Sequence, residues 1–195
     1  MKHISKKKAL GSKKALTPKC NNKLAVHFSS KSDEWASPQR LVEILRKVFK
    51  ISLDVCSTDF NKICERHFTK LLDGLKQSWA REVAFMNPPY SEIGVWMRKA
   101  YESALNEGAT VVCLVPARTD TKWWHEFVMQ GNNQIVFIKG RLKFGNSKNS
   151  APFPSVLIVM RPPGAPHFRK GHLSKLINDA KTAKGKGAEY FSLAA

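Results

Sequence analysis

Residues 83–92 read VAFMNPPYSE, an apolar run that stops at an asparagine and two consecutive prolines. The first four residues, Val83 to Met86, are predicted to form a β-strand. That strand has to end at Asn87, because proline has no backbone N–H to donate and holds φ near one value. We therefore expect the segment after Met86 to be stiff and extended, with backbone carbonyls that face a partner outside the sheet.

On both sides of this stretch, apolar strands alternate with helices. The predicted strands are Ile51 to Val55, Thr110 to Val115, Gln134 to Lys139 and Pro154 to Met160. The predicted helices are one that starts at Ser37-Pro38, a weak one through Ile63, and two more at Ile93 to Leu105 and Trp123 to Met129. This alternation predicts an α/β fold: one mostly parallel sheet with helices on both faces, closed by a C-terminal antiparallel hairpin. Ligands of such sheets lie beyond the carboxyl ends of the strands, so Cys56, Ser57 and Asn87 are expected at one edge.

Charge divides the chain into three parts. The net charge is +18, and residues 1–32 carry nine lysines and no acidic residue. We interpret 1–32 as a mostly disordered basic tail, 33–162 as the folded domain and 163–195 as a second basic tail. A polyanionic partner, most commonly nucleic acid, explains this distribution best; a solvated tail without a role and a basic membrane arm are the alternatives.

Several classes of protein are disfavoured. The apolar runs are too short to span a membrane, and no secretory signal peptide is visible. The four cysteines show neither a CxxC pair nor a Cys/His zinc spacing. We expect an intracellular protein with reduced thiols and no metal.

The side chains after Met86 suit a planar group that bears an amino nitrogen. The Asn87 side-chain oxygen and the Pro88 carbonyl would accept its two N–H hydrogens, and Tyr90 would stack on its ring. Two acceptors localise the nitrogen lone pair and stabilise the positive charge that develops when the nitrogen attacks an electrophile. No strong general base is required for that step.

More of the chain carries the same signal. The segments SDEWASPQRLVEIL, ISLDVCST, DGLKQSW, MNPPYS, VWMRKA, LVPARTDTKWWHEF, GRLKFG and APFPSVLIVM follow one another through residues 33–162. Together they resemble the phage-type DNA N-6-adenine methyltransferase family. The resemblance implies a Rossmann-like domain that transfers a methyl group from S-adenosylmethionine to adenine N6 in double-stranded DNA. Its catalytic loop would be Asn87, Pro88, Pro89 and Tyr90.

The resemblance also implies a set of cofactor-binding residues. The helix start at Ser37 and Pro38 would hold the methionine end of the cofactor, unless it serves only as a helix cap. Asp54, with Cys56 and Ser57, would meet the cofactor at the strand end, where the alternative for Asp54 is a turn cap. Asp73 would read the amino group of the cofactor's adenine, although Asp-Gly is also a common turn. The glycine-rich turn of other methyltransferases is missing after the first strand, as in the phage-type family.

A base inside a duplex is out of reach, so the target adenine would be flipped out. The residues expected to hold DNA follow the third strand or lie between the last two strands: Arg118, Thr119, Lys122, Arg141, Lys143 and Lys148. For each of them, simple surface solubility is the alternative. No separate recognition domain is visible, so sequence specificity is expected to be short or relaxed. A monomer or weak dimer in the cytoplasm of a bacterial host is what the resemblance implies.

Three functions remain open from the sequence. The first is the adenine-N6 DNA methyltransferase. The second is a related enzyme that acts on RNA, cytosine N4 or a glutamine side chain. The third is a DNA-binding protein that keeps the fold without catalysis. The basic tails disfavour a protein substrate, asparagine rather than serine before Pro-Pro disfavours cytosine, and the intact loop disfavours loss of catalysis.

Overall fold

The computed structural model describes residues 35–145, 147, 149–169 and 171–182. The predicted tail at 1–32 and Lys148 lie outside these residues. The strands are β1 (Leu53–Asp54), β2 (Val83–Met86), β3 (Thr110–Pro116), β4 (Asn132–Phe137) and β5 (Ser155–Arg161). The helices are α1 (Gln39–Phe49), α2 (Ile93–Asn106) and α3 (His172–Thr182), joined by short helical turns at Gly74–Lys76, Tyr90–Glu92 and Trp124–Val128.

The five strands of the described chain form one sheet in the order β1-β2-β3-β5-β4. β1, β2 and β3 are parallel, whereas β5 runs antiparallel to both of its neighbours, β3 and β4. β4 therefore points the same way as the first three strands. The predicted α/β class with a mostly parallel sheet is confirmed. β4 and β5 pair with each other, and the long connection 138–154 joins them.

Alternating side chains of the strands enter two hydrophobic cores, one on each face of the sheet. On one face, Val111, Cys113 and Val115 of β3 pack with α2. On the other face, Val112 and Leu114 pack with α1 and α3. These five side chains of β3 are all fully buried, as expected for a strand that is covered on both sides.

The structure departs from the sequence predictions in four places, of which one is β4, observed at Asn132–Phe137 instead of Gln134 to Lys139. β1 is shorter than Ile51 to Val55, and the weak helix through Ile63 is replaced by turns. The segment interpreted as a C-terminal tail contains α3, whose Leu173 and Ile177 are buried in the core beside α1. Lysines and other polar residues around these two positions mask the apolar spacing of α3 in the sequence. Its stability comes from packing rather than from its composition.

Candidate active site

The carboxyl ends of β1 and β2 open on the same edge of the sheet, where Asp54 pairs in register with Phe85. A cavity of about 490 Å³ lies at this edge. Its walls come from the segment before α1, the loop after β1, the turn near Gly74 and the loop after β2. The predicted site residues in the lining are Ser37, Asp54, Cys56, Ser57, Asp73, Asn87 and Pro89; Pro38, Pro88 and Tyr90 lie outside it.

The Asn87 side chain is held by three hydrogen bonds. Its Nδ2 donates to the backbone carbonyl of Trp35 and, over 3.0 Å, to Oγ of Ser37. Its Oδ1 accepts a hydrogen bond from the Tyr90 hydroxyl at 3.1 Å. The amide is therefore fixed in position before any substrate binds.

Tyr90 lies in an aromatic cluster that joins three parts of the chain. Its ring stacks on Trp35, with centroids 6.3 Å apart and planes 17° apart, and meets the Phe153 ring edge-on at 5.4 Å. Trp35 also packs edge-on against Phe144. Burial raises the pKa of the Tyr90 phenol, so this hydroxyl stays protonated and remains a donor to Asn87.

Asp54 is almost completely buried, and its carboxylate accepts two backbone hydrogen bonds from its own loop. Oδ2 accepts from the Ile63 N–H at 3.0 Å and Oδ1 from the Cys56 N–H at 3.4 Å. Burial raises the pKa of Asp54, while these hydrogen bonds oppose the rise. These are the bonds of a turn cap, the alternative left open for this residue in the sequence. The carboxylate also borders the cavity.

The turn at Gly74 brings its backbone against the end of β1. A Cβ placed on Gly74 would lie 2.0 Å from the carbonyl oxygen of Val55. Asp73 caps this turn, since Oδ1 accepts from the Leu75 N–H at 3.3 Å, and Oδ2 pairs with Lys76 at 3.0 Å. Asp73 adopts a left-handed conformation, with φ at 51°.

Two polar groups in the cavity lining lack a hydrogen-bond partner among the described residues. One is the buried indole N–H of Trp96 and the other is the Ser57 hydroxyl, which lies near the Asp54 carboxylate but makes no hydrogen bond of good geometry with it. Buried donors are nearly always paired in folded proteins. Both groups are therefore unsatisfied beside the cavity, although neither atom has accessible surface in it.

Comparison with known proteins identifies the family. The model of the family described as DNA N-6-adenine-methyltransferase (Dam) matches residues 26–187. The chain belongs to this family. The family assignment made from the sequence segments is thereby confirmed.

Two phage proteins named DNA N-6-adenine-methyltransferase are similar to this member of the Dam family. The protein of Escherichia phage T1 is 25% identical over 184 residues, which cover 80% of this chain and 74% of the relative. The protein of Haemophilus phage HP1 is 27% identical over 147 residues, which cover 71% of this chain and 83% of the relative. Both matches span most of the chain, not the proline loop alone.

The residues expected to hold DNA in this Dam-family chain fall in two places. Arg118 and Thr119 follow β3, and the Arg118 guanidinium lies close enough to Tyr90 to favour its ionised form slightly, against the larger effect of burial. Lys122 is exposed and pairs with Glu126 at 3.4 Å. Arg141 and Lys143 are exposed on the 138–154 connection, where they alternate with buried Leu142 and Phe144.

Sequence reasoning missed several residues of the cavity wall. Trp35, Thr58, Asn61, Thr69, Lys70, Glu92 and Trp96 line the cavity without having been assigned a role. Trp35 had a usable signal, since it stands two residues before the predicted helix start at Ser37 in WASPQ. Trp123 and Trp124, which follow the predicted DNA-binding residue Lys122, are buried in the core beside α2.

Neither a metal-binding cluster nor a membrane-spanning helix is found among the described residues. No group of three or more His, Cys, Asp and Glu side chains could hold a metal ion in the part of the chain that the structure describes. Among the helices of the described residues, none is long and apolar enough to cross a membrane.

Proposed function

We propose that this protein transfers a methyl group from S-adenosylmethionine to the N6 amino group of adenine in double-stranded DNA, on a base that is flipped out of the duplex. The observation that carries the proposal is the fixed Asn87 amide at the wall of a 490 Å³ cavity, beyond the carboxyl ends of β1 and β2. Because the chain belongs to the Dam family, methyl transfer to adenine is the reaction in which we propose that this amide takes part.

The cavity fits the cofactor in size and in its polar groups. Sites for small molecules are commonly roughly 300–1,000 Å³ in volume. Asp54 and Asp73 offer acceptors at the cavity wall. Gly74 lets the backbone approach closely where a side chain would fill the space.

The start of α1 suits the carboxylate end of the cofactor. No side chain caps this helix, and its first turn has no acidic residue. The backbone N–H groups of the first turn and the helix dipole favour a negative charge there. Ser37 and Pro38 bring this end of the helix beside the cavity wall.

The bound cofactor supplies an electrophilic methyl group, and the chain's residues prepare the nucleophile. Oδ1 of Asn87 keeps a second lone pair beside the hydrogen bond from Tyr90, and it accepts one N–H of the adenine amino group. The Pro88 carbonyl accepts the other. These acceptors stabilise the positive charge that forms on the nitrogen as it takes the methyl carbon from the sulfur, and the rigid prolines hold the acceptors in place. The surplus N–H proton then leaves to water, which gives the neutral methylamino group.

The flipped adenine stacks on Tyr90 in this proposal. Because Trp35 covers one face of the Tyr90 ring, the base must either use the other face or displace Trp35. Burial keeps the pKa of Tyr90 high, so the phenol donates to Asn87 throughout and never acts as a general base.

DNA binds mainly through its phosphates. Arg118 and Thr119 lie after β3, at the same edge of the sheet as the cavity, and Arg141 and Lys143 lie exposed on the 138–154 connection. That connection is tied to the site, because the Gly145 N–H donates to the Ala36 carbonyl at 2.7 Å. Phosphate contacts of this kind give affinity that falls with salt and carry little sequence information.

The test is methyl transfer from labelled S-adenosylmethionine to unmethylated duplex DNA, followed by nucleoside analysis. We expect the label in N6-methyladenine. Asn87→Ala should lower the transfer rate by roughly 10²–10³-fold, the usual cost of removing a group that stabilises transition-state charge, and should leave cofactor binding largely intact.

A matched control is Asn106→Ala, at the exposed end of α2 on the opposite edge of the sheet, which should behave like the parent. Label in RNA, in cytosine or in protein would refute the adenine assignment. DNA binding without any transfer would show a protein that keeps the family fold without its chemistry.

A further inference from the structure

The Ser37 hydroxyl does not cap the helix that it precedes. The residue at the N-terminal cap of α1 is Pro38, and no side chain provides a capping hydrogen bond. The hydroxyl instead accepts a hydrogen bond from Nδ2 of Asn87 at 3.0 Å, across 50 residues of sequence. A serine at a helix start is ordinarily read as a cap, so its partner here calls for another explanation.

The contacts of Asn87 decide which end of the amide is the nitrogen. The backbone carbonyl of Trp35 can only accept a hydrogen bond, so the side-chain atom that meets it has to be Nδ2. The same Nδ2 reaches Ser37, which leaves Oδ1 for the Tyr90 hydroxyl. With the opposite orientation of the amide, an oxygen would face the Trp35 carbonyl and an N–H would stand where an acceptor is needed.

We propose that Ser37 is a positioning residue that, together with the Trp35 carbonyl, holds the Asn87 amide so that Oδ1 can accept from the substrate amine; this inference rests on the proposed function. Nδ2 has two hydrogens, and the Trp35 carbonyl and Ser37 Oγ take one each. Both acceptors come from the four residues before α1, 35–38. That segment is held in turn by the stack of Trp35 on Tyr90 and by the Gly145 N–H to Ala36 hydrogen bond.

This role differs measurably from cofactor binding, the role that the family resemblance implies for Ser37. A serine that holds the cofactor changes the affinity for S-adenosylmethionine when it is replaced. A serine that orients Asn87 changes the rate of transfer at saturating cofactor and leaves that affinity unchanged.

The experiment compares Ser37→Thr with Ser37→Val in the full chain, because the two side chains have nearly the same shape and only threonine has the hydroxyl. We measure the maximal rate of transfer to DNA and the dissociation constant of S-adenosylmethionine by calorimetry. We expect Ser37→Thr to match the parent. Ser37→Val should lose about fivefold to tenfold in rate, the value of one net hydrogen bond, with unchanged cofactor affinity.

A second readout does not depend on activity. In isotope-labelled protein, the Asn87 side-chain amide proton that bonds Ser37 Oγ should be shifted and protected from exchange in the parent and in Ser37→Thr, and should lose both properties in Ser37→Val. The proton that bonds the Trp35 carbonyl should keep them in all three proteins. The matched control is Ser103→Ala, since the buried Ser103 hydroxyl of α2 has no hydrogen-bond partner among the described residues to lose; it should leave the amide signals and the rate unchanged.

The outcomes separate this inference from the proposed function. Weaker cofactor binding in Ser37→Val, at an unchanged maximal rate, would overturn positioning in favour of a cofactor contact. Identical Asn87 amide signals in Ser37→Thr and Ser37→Val would also overturn it. Failure of the parent to methylate adenine would refute the proposed function instead, while the amide signals would still report whether Ser37 holds Asn87.

Discussion

Gly74→Ala should damage both the fold and the proposed cofactor site. The added Cβ would lie 2.0 Å from the Val55 carbonyl oxygen and 3.3 Å from Cη2 of Trp96. Neither the backbone at Gly74 nor the backbone at Val55 can move easily to relieve this overlap. The Gly74 carbonyl accepts the Trp79 indole N–H at 2.9 Å, and Val55 is tied to β2 by its N–H to the Phe85 carbonyl at 3.1 Å.

The expected magnitude follows from this overlap. A Cβ closer than 3.0 Å to another atom is essentially never seen, so the turn at Gly74 has to move away from β1 by about 1 Å. Overpacking of this kind typically costs about 1–3 kcal/mol. For a protein of this size, a cost of ~2 kcal/mol lowers Tm by about 4–8 °C. Because the turn carries Asp73 and closes one wall of the cavity, we also expect S-adenosylmethionine to bind at least tenfold more weakly.

The assays are differential scanning calorimetry and cofactor titration, with Gly94→Ala as the matched control. The nearest atom to a Cβ on Gly94 is the Trp123 Cβ at 3.9 Å, which is ordinary contact, and Gly94 lies in the first turn of α2. Alanine in a helix is favoured over glycine by about 0.5–1 kcal/mol, so Gly94→Ala should keep or slightly raise Tm. A Gly74→Ala protein with the Tm and cofactor affinity of the parent would refute the reasoning.

Three further predictions concern the catalytic loop, the DNA surface and the buried acid. Tyr90→Phe keeps the ring and removes the hydrogen bond to Asn87 Oδ1, so the maximal rate of transfer should fall about fivefold with DNA affinity unchanged; a higher rate would show that the hydroxyl competes with the substrate amine. Replacing both Arg141 and Lys143 with alanine should reduce the slope of log affinity for DNA against log salt by about 1.8, or ~0.9 per lost phosphate contact, whereas the exposed Lys175→Ala on α3 should leave it unchanged; an equal slope would place DNA elsewhere. Because burial raises the pKa of Asp54 above 3.8, the fold favours its protonated form. The contribution of this group to the free energy of unfolding therefore grows as the pH falls through the raised pKa and is lost as the pH rises. Urea unfolding at neutral and mildly acidic pH should accordingly show the parent gaining stability relative to Asp54→Asn on acidification, and the opposite trend would contradict the raised pKa.

Much of the architecture follows from local sequence patterns. The unbroken apolar runs predict β3 and β5, the double proline predicts the end of β2, and the spacing of Leu41, Ile44 and Leu45 predicts α1. The observed elements match these patterns closely. Patterns of this kind are informative because burial on two faces, or on one stripe of a helix, demands a particular spacing of apolar side chains.

Other features depend on packing between distant segments. α3 is amphipathic and short, so its lysines and polar residues obscure a helix that is stable only against α1. The ends of β1 and β4 depend on neighbouring strands, which no local pattern specifies.

The sequence alone determined the family to which the chain belongs and the end of β2 at Asn87, because a run of specific side chains at one strand end is a local signal. Only the tertiary structure decided the partners of those side chains. In the folded chain the Ser37 hydroxyl accepts a hydrogen bond from Asn87, and the Asp54 carboxylate accepts one from its own loop. The Tyr90 ring stacks on Trp35. Buried polar groups are nearly always hydrogen-bonded, but the partner of each one depends on which distant segment the fold places beside it. The local sequence does not contain that information.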